Sequence, residues 1–165
     1  MGPHTWRFVR KLRQRRGDER GAEMVEFAIV VVLLITMLYG IVTYGLILAA
    51  QSTVTQAAAD AARAGIVAGS TNMVNTAQSQ AQGDVGWMNK GQCAGNTTAT
   101  AANPITCVAS GPANCPSDVT TGSTAQCLTV TVTYAYNKAP LFPELPGLNV
   151  ITPSTISSTN VLQIP

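Results

Sequence analysis

The residues able to do chemistry are few and scattered. Catalysis needs groups that titrate or attack. The only histidine is His4, near the start of the chain. Asp84, Asp118 and Glu144 are isolated from one another, and no glycine-rich nucleotide-binding motif is present. A nucleophile-base arrangement using Lys90 or Lys138 is disfavoured, and the abundant Ser and Thr residues read as a wet, loose surface. Asn96-Thr97-Thr98 fits a glycosylation acceptor, but such triplets arise by chance in a Thr-rich loop and no role is assigned to it. These features argue against an enzyme, and no cofactor is implied. Four cysteines remain, Cys93, Cys107, Cys115 and Cys127, together with one carboxylate, Glu26, in the stretch Arg20-Gly21-Ala22-Glu23-Met24-Val25-Glu26-Phe27.

The meaning of both depends on the segments around them. Seven of the ten basic residues precede Gly21: Arg7, Arg10, Lys11, Arg13, Arg15, Arg16 and Arg20. A basic tail can bind nucleic acid. Here an apolar run follows directly, so the charge reads as a topological signal and no nucleic-acid partner is expected. Phe27 to Ala50 carries no charge over 24 residues. As a helix it spans about 36 Å, enough to cross a hydrocarbon core of about 30 Å. It is too long for the core of a secretory signal, and no good A-x-A cleavage site follows it. Basic residues beside a span hold that end in the cytoplasm. The expected protein is therefore a single-pass membrane protein with its N-terminus in the cytoplasm and its larger C-terminal part outside. That places the cysteines in an oxidising compartment, where two disulfides are the natural outcome. Four cysteines allow three pairings, and spacing does not choose among them. Zinc is disfavoured, because there is no C-x-x-C and the one histidine lies on the other side of the membrane.

Residues 1–21 read as a charged leader without fixed structure. A helix is expected over 22–69, because Gln51–Gly65 is rich in alanine and Val54, Ala58, Ala61, Gly65 and Ala68 recur at helical spacing. Gly65 and Gly69-Ser70 punctuate it. Ser70 is a candidate cap for a short second helix over 71–82, with Val74, Ala77 and Ala81 on one side. Gly83 to Ala125 reads as loop, with one short strand at 105–108. Cysteine bridges would staple this region, which has too little apolar content to hold itself. Cys127–Tyr136 alternates Leu128, Val130, Val132, Tyr134 and Tyr136 with Thr129, Thr131, Thr133 and Ala135, the pattern of a strand wet on one face. Prolines end it, and a last strand is expected over 155–162. The fold class is α+β: a long N-terminal transmembrane helix extending outside the membrane, then a small disulfide-stapled antiparallel β domain. Four regions follow: leader 1–21, helix 22–69, short helix and Cys-containing loops 70–126, and a β-rich region 127–165.

Glu26 stands at the edge of the apolar run. A carboxylate within hydrocarbon costs a few kcal/mol unless something pairs with it. If the chain is cut after Gly21, Ala22 gains a free amine and Glu26 becomes the fifth residue. A small residue before the cut, Glu at the fifth position and an apolar helix resemble the type IV prepilin pattern. Residues 20–65, including Glu26-Phe27 and the alanine-rich end, resemble more closely the TadE-like pseudopilins of the tight-adherence (Tad/Flp) pilus system. A fainter likeness covers residues 128–158, and none covers 70–126. The resemblance implies a pseudopilin or minor pilin, processed between Gly21 and Ala22 by a prepilin peptidase on the cytoplasmic side. Its partners would be the membrane, that peptidase, other pilin or pseudopilin subunits and Tad assembly proteins. It also implies that Glu26 meets the amine of a neighbouring subunit in a helix bundle. Within the span Thr36, Tyr39, Gly40 and Thr43 cluster on one face, and small or hydroxyl-bearing residues let helices approach closely. That face, with Glu26 and Phe27, is the expected subunit contact. The rival reading is an unprocessed, single-span ectodomain that binds an envelope or surface partner; a secreted enzyme would need a cut beyond Ala50.

Overall fold

The computed structural model describes residues 5–88, 93, 95, 98–115, 125–143 and 152–164, with side chains from Gly21 onward. Lys90, Asn96, Thr97, Asp118 and Glu144 lie outside the described residues. The chain divides into two compact units, Met1–Tyr44 and Gly45–Pro165. Helix α1 runs over Thr5–Val67 and α2 over Met73–Asp84; the strands are β1, Ile105–Asn114, β2, Gln126–Tyr134, and β3, Ile156–Gln163.

The leader departs from expectation. It is helical from Thr5, not without fixed structure. Arg, Lys, Gln and Glu are good helix formers, and extending an existing helix avoids the cost of nucleation. In the first unit, the helix from Gly21 to Tyr44 is exposed along nearly its whole length.

In the second unit, α1 buries Ile47, Ala50, Val54, Ala57, Ala58, Ala61 and Ala62, while Gln51, Gln56, Asp60 and Arg63 on its other sides are exposed. The helix ends where Gly69 adopts φ 75°, a conformation cheap only for glycine. The Asp60–Arg63 pair is formed at 3.7 Å but exposed, so it adds little. Ser70 does not cap α2. Thr76 N–H donates to the Asn72 carbonyl, which makes Asn72 the N-cap, and its side chain makes no capping bond. The buried side of α2 is Met73, Ala77 and Ala81, with Val74 only partly buried against the same core.

The sheet is antiparallel in the order β1-β2-β3. Its inner face is Ile105, Cys107 and Ala109 with Leu128, Val130, Val132 and Tyr134. Thr129, Thr131 and Thr133 lie on the other face, where Thr131 and Thr159 share a hydroxyl–hydroxyl bond of 3.0 Å across strands. The alternation read in β2 thus describes a real layer, although Ala135 and Tyr136 lie in the turn after it. Strand β1 continues six residues beyond the expected 105–108. The extra residues, Ala109–Asn114, look like loop because they contain Gly111-Pro112. The register shifts between Ser110 and Ala113, and a bulge is a place in a sheet where a proline without an N–H is tolerated.

The disulfides are Cys93–Cys107 and Cys115–Cys127, with Cα atoms 5.5 and 4.9 Å apart. Of the three possible pairings, the structure takes the one in which each cysteine joins the next in sequence. The first ties Cys93 to β1, against which α2 also packs. The second joins the end of β1 to the start of β2, beside the Ala113↔Cys127 register pair.

Tyr134 closes the turn that follows β2: its phenol donates to the Ala139 carbonyl, and its ring meets Tyr136 edge-on at 5.9 Å. Burial first, and Tyr136 second, push the phenol up from 10.0 to about 12. Above pH 10 the unfolded chain loses this proton while the folded chain keeps it. The contribution to stability is therefore full below pH 10 and declines as the pH rises through about 12. The loss should reach at most about 3 kcal/mol. Tyr134→Phe should flatten this alkaline decline in a denaturation series, while costing about 1 kcal/mol at neutral pH for the lost hydrogen bond.

Candidate cleavage and subunit-packing site

The residues singled out in the sequence lie on one continuous stretch of α1 within the first unit. Gly21, Ala22, Glu23 and Glu26 are all exposed, and Phe27 is 70% exposed. A Cβ placed on Gly21 would meet nothing within 4 Å. The Gly21–Ala22 bond is thus open to a second protein but helical. Peptidases act on extended backbone, so cutting here requires a local turn to unwind. Glycine lowers that barrier, since it is about 1 kcal/mol poorer than alanine in a helix.

Glu26 follows Ala22 by four residues, about one turn along the same side of the helix. No side chain from the second unit is needed to describe this site, because every residue of it precedes Gly45. The flanking Met24, Val25 and Ile29 are 76%, 61% and 64% exposed. Large apolar side chains left in the open at this density mark a surface made for lipid or for other helices. Among the described residues one helix is long and apolar enough to cross a membrane, Gly21–Val67, and none of its most apolar stretch is buried.

Thr36, Tyr39, Gly40 and Thr43 follow at spacings of three and four, so they share a face. Thr36 Oγ1 donates back to the Val32 carbonyl at 2.8 Å, which satisfies the hydroxyl within the helix. Thr43 differs: its Oγ1 is enclosed and has no hydrogen-bond partner among the described residues. Gly40 has no atom within 4 Å of the place a Cβ would take. The N-terminal continuation of this face escaped the sequence reading. Val25, Ile29, Val32, Leu33, Thr36 and Met37 line a shallow concavity along the helix. Its three-and-four spacing was available in the sequence but is hidden where every neighbour is also apolar. Thr36 belongs to both parts of the face.

Residues 21–63 match the family model described as TadE-like protein. This segment is similar to TadE-like proteins. The match takes in Gly21, Ala22, Glu26 and the whole Thr36–Thr43 face, and it continues over the part of α1 that packs on the sheet. It stops before Gly65 and leaves the sheet outside, so the fainter likeness over 128–158 has no counterpart in it. No curated protein and no solved structure matches the chain. The chemistry this matched segment offers is that of a helix surface: the carboxylates of Glu23, Glu26 and Asp60, one candidate scissile bond and a set of small, hydroxyl-bearing or apolar side chains. Among the described residues no group of three His, Cys, Asp or Glu side chains comes together.

Proposed function

We propose that this protein is a pseudopilin or minor pilin of a Tad-type pilus system, anchored in the cytoplasmic membrane by α1 with its N-terminus inside. In this reading a prepilin peptidase cuts between Gly21 and Ala22, and the new Ala22 amine and Glu26 then serve helix packing between subunits. The observation that carries the proposal is the placement of Glu26. It sits exposed on α1, four residues past Ala22 and immediately before the uncharged run, inside the segment that matches the TadE-like family. A carboxylate drawn into a helix bundle needs a cation there, and the amine freed from a neighbouring subunit supplies one. The Thr36, Tyr39, Gly40 and Thr43 face would meet the neighbour deeper in the bundle, where close approach of small residues substitutes for a hydrophobic driving force. The protein then acts as a structural part and turns over no substrate.

Co-expression with a prepilin peptidase tests the first step. N-terminal sequencing should find Ala22 as the first residue, and Gly21→Ile should leave the leader in place. A full-length chain recovered from cells with active peptidase would instead support an uncut, membrane-anchored ectodomain.

A further inference from the structure

We propose that Trp87 seats the C-terminal unit in the outer headgroup layer of the membrane that α1 crosses, so that the unit rests on lipid. The inference builds on the reading of α1 as a span. The uncharged run ends at Ala50, yet Ile47 is only 9% exposed and Ala50 is fully buried. Both belong to the core shared with α2 and the sheet. Protein therefore covers one side of the last turn of the run, while Leu48 and Ala49 stay exposed on the other. The part with no such cover is Phe27–Leu46, 20 residues, or about 30 Å of helix, the thickness of a hydrocarbon core. The outer boundary of the hydrocarbon then falls level with Ile47–Ala50.

Helix α2 returns to that level. It starts beside the far end of α1, since a Cβ on Gly65 would come within 2.9 Å of the Met73 carbonyl oxygen and 3.1 Å of the Ala77 Cβ. Met73, Ala77 and Ala81 of α2 share one core with Ala57, Ala58, Ala61 and Ala62 of α1, as in an antiparallel helix pair joined by a short turn. Twelve residues of α2 cover about 18 Å, and Gly65 back to Ala50 covers about 22 Å. The turn after α2 spans the difference. In it Val85 and Met88 are buried in the same core as Ala50 and Val54, while Trp87 between them is 57% exposed. Among the described residues of this unit Trp87 is the one exposed aromatic. Val67, the most exposed large apolar residue, lies at the opposite end of the hairpin. An indole has an apolar body and a single N–H, which suits the boundary between headgroups and hydrocarbon.

The test uses the full chain in phospholipid nanodiscs, with Trp6→Phe so that Trp87 is the sole tryptophan. Lipids carrying a nitroxide on the headgroup should remove about half of its emission, and lipids labelled at mid-chain should remove much less. A second chain, with Trp6→Phe, Trp87→Phe and Leu38→Trp, reports the span and should show the reverse order. If Leu38→Trp is quenched from mid-chain but Trp87 responds to neither label, or more strongly to the deep one, the seating is wrong and the span stands. If Leu38→Trp escapes the deep label, both fall.

Discussion

Gly65→Leu should unfold the C-terminal unit. At this position even a single Cβ would lie 2.6 Å from Leu128 Cδ2, 2.9 Å from the Met73 carbonyl oxygen and 3.1 Å from the Ala77 Cβ. The Leu128 methyl can rotate away. The carbonyl is fixed by the start of α2, so backbone has to move. Gly65→Ala gains about 1 kcal/mol of helix propensity but meets overpacking of about 1–3 kcal/mol, so the net effect should be a loss. Four more carbons at the point where α1, α2 and β2 meet leave no arrangement that keeps all three in place. Gly83→Ala provides the opposite sign. It is a helical glycine with nothing within 4 Å of its would-be Cβ, and it should stabilise by about 0.5–1 kcal/mol. Limited proteolysis and thermal unfolding of the three variants read the contrast. Equal stability of Gly65→Leu and the parent chain would show that the α1–α2–β2 junction is not packed as described.

Replacing Glu26 with leucine should abolish assembly while leaving insertion intact. The substitution makes the N-terminal end of the run more apolar, so membrane recovery should be unchanged or improved. What disappears is the group that would hold the free amine of Ala22 on a neighbouring chain. An ammonium left in a bundle without its carboxylate costs on the order of 3–5 kcal/mol per subunit, and the cost repeats with each added subunit. Pili counted by electron microscopy, and subunit pairs captured by cross-linking, should both fall to background. Glu26→Asp should recover part of each, since the charge is kept but set back by one methylene. Normal pili from the leucine variant would remove Glu26 from the account.

Much of this architecture can be read from residue order. The long apolar helix is legible because 24 uncharged residues follow a basic leader, and β2 because its alternation is strict. Strand β3 lies within one residue of the expected range. The misreadings have a common cause: local composition spoke for a loop or a cap, and a tertiary partner decided otherwise. Ala109–Asn114 looks like a loop, yet pairing to β2 and the Cys115–Cys127 bridge make it strand. Ser70 looks like a cap, but Gly69 redirects the chain and moves the helix start to Asn72. Disulfide pairing is not encoded in spacing at all; it depends on which strands become neighbours. The candidate site was legible because a charge beside an apolar run stands out in one dimension. The strip from Val25 to Met37 did not stand out, because it differs from its surroundings only in direction.

The alanine lining of α1 has a mechanical consequence. From Ala50 to Gly65 most side chains facing the core are short and fully buried, and at Gly65 a Cβ would already lie 2.6 Å from Leu128 Cδ2 of the sheet. Rolling the helix by one residue, about 100°, would turn Gln51, Gln56, Asp60 or Arg63 into a space shaped for a methyl group. None fits, and two carry charge. The unit therefore holds the helix at a single azimuth. A twist applied to this part of α1 would pass into the sheet as torque and would not be lost to slippage.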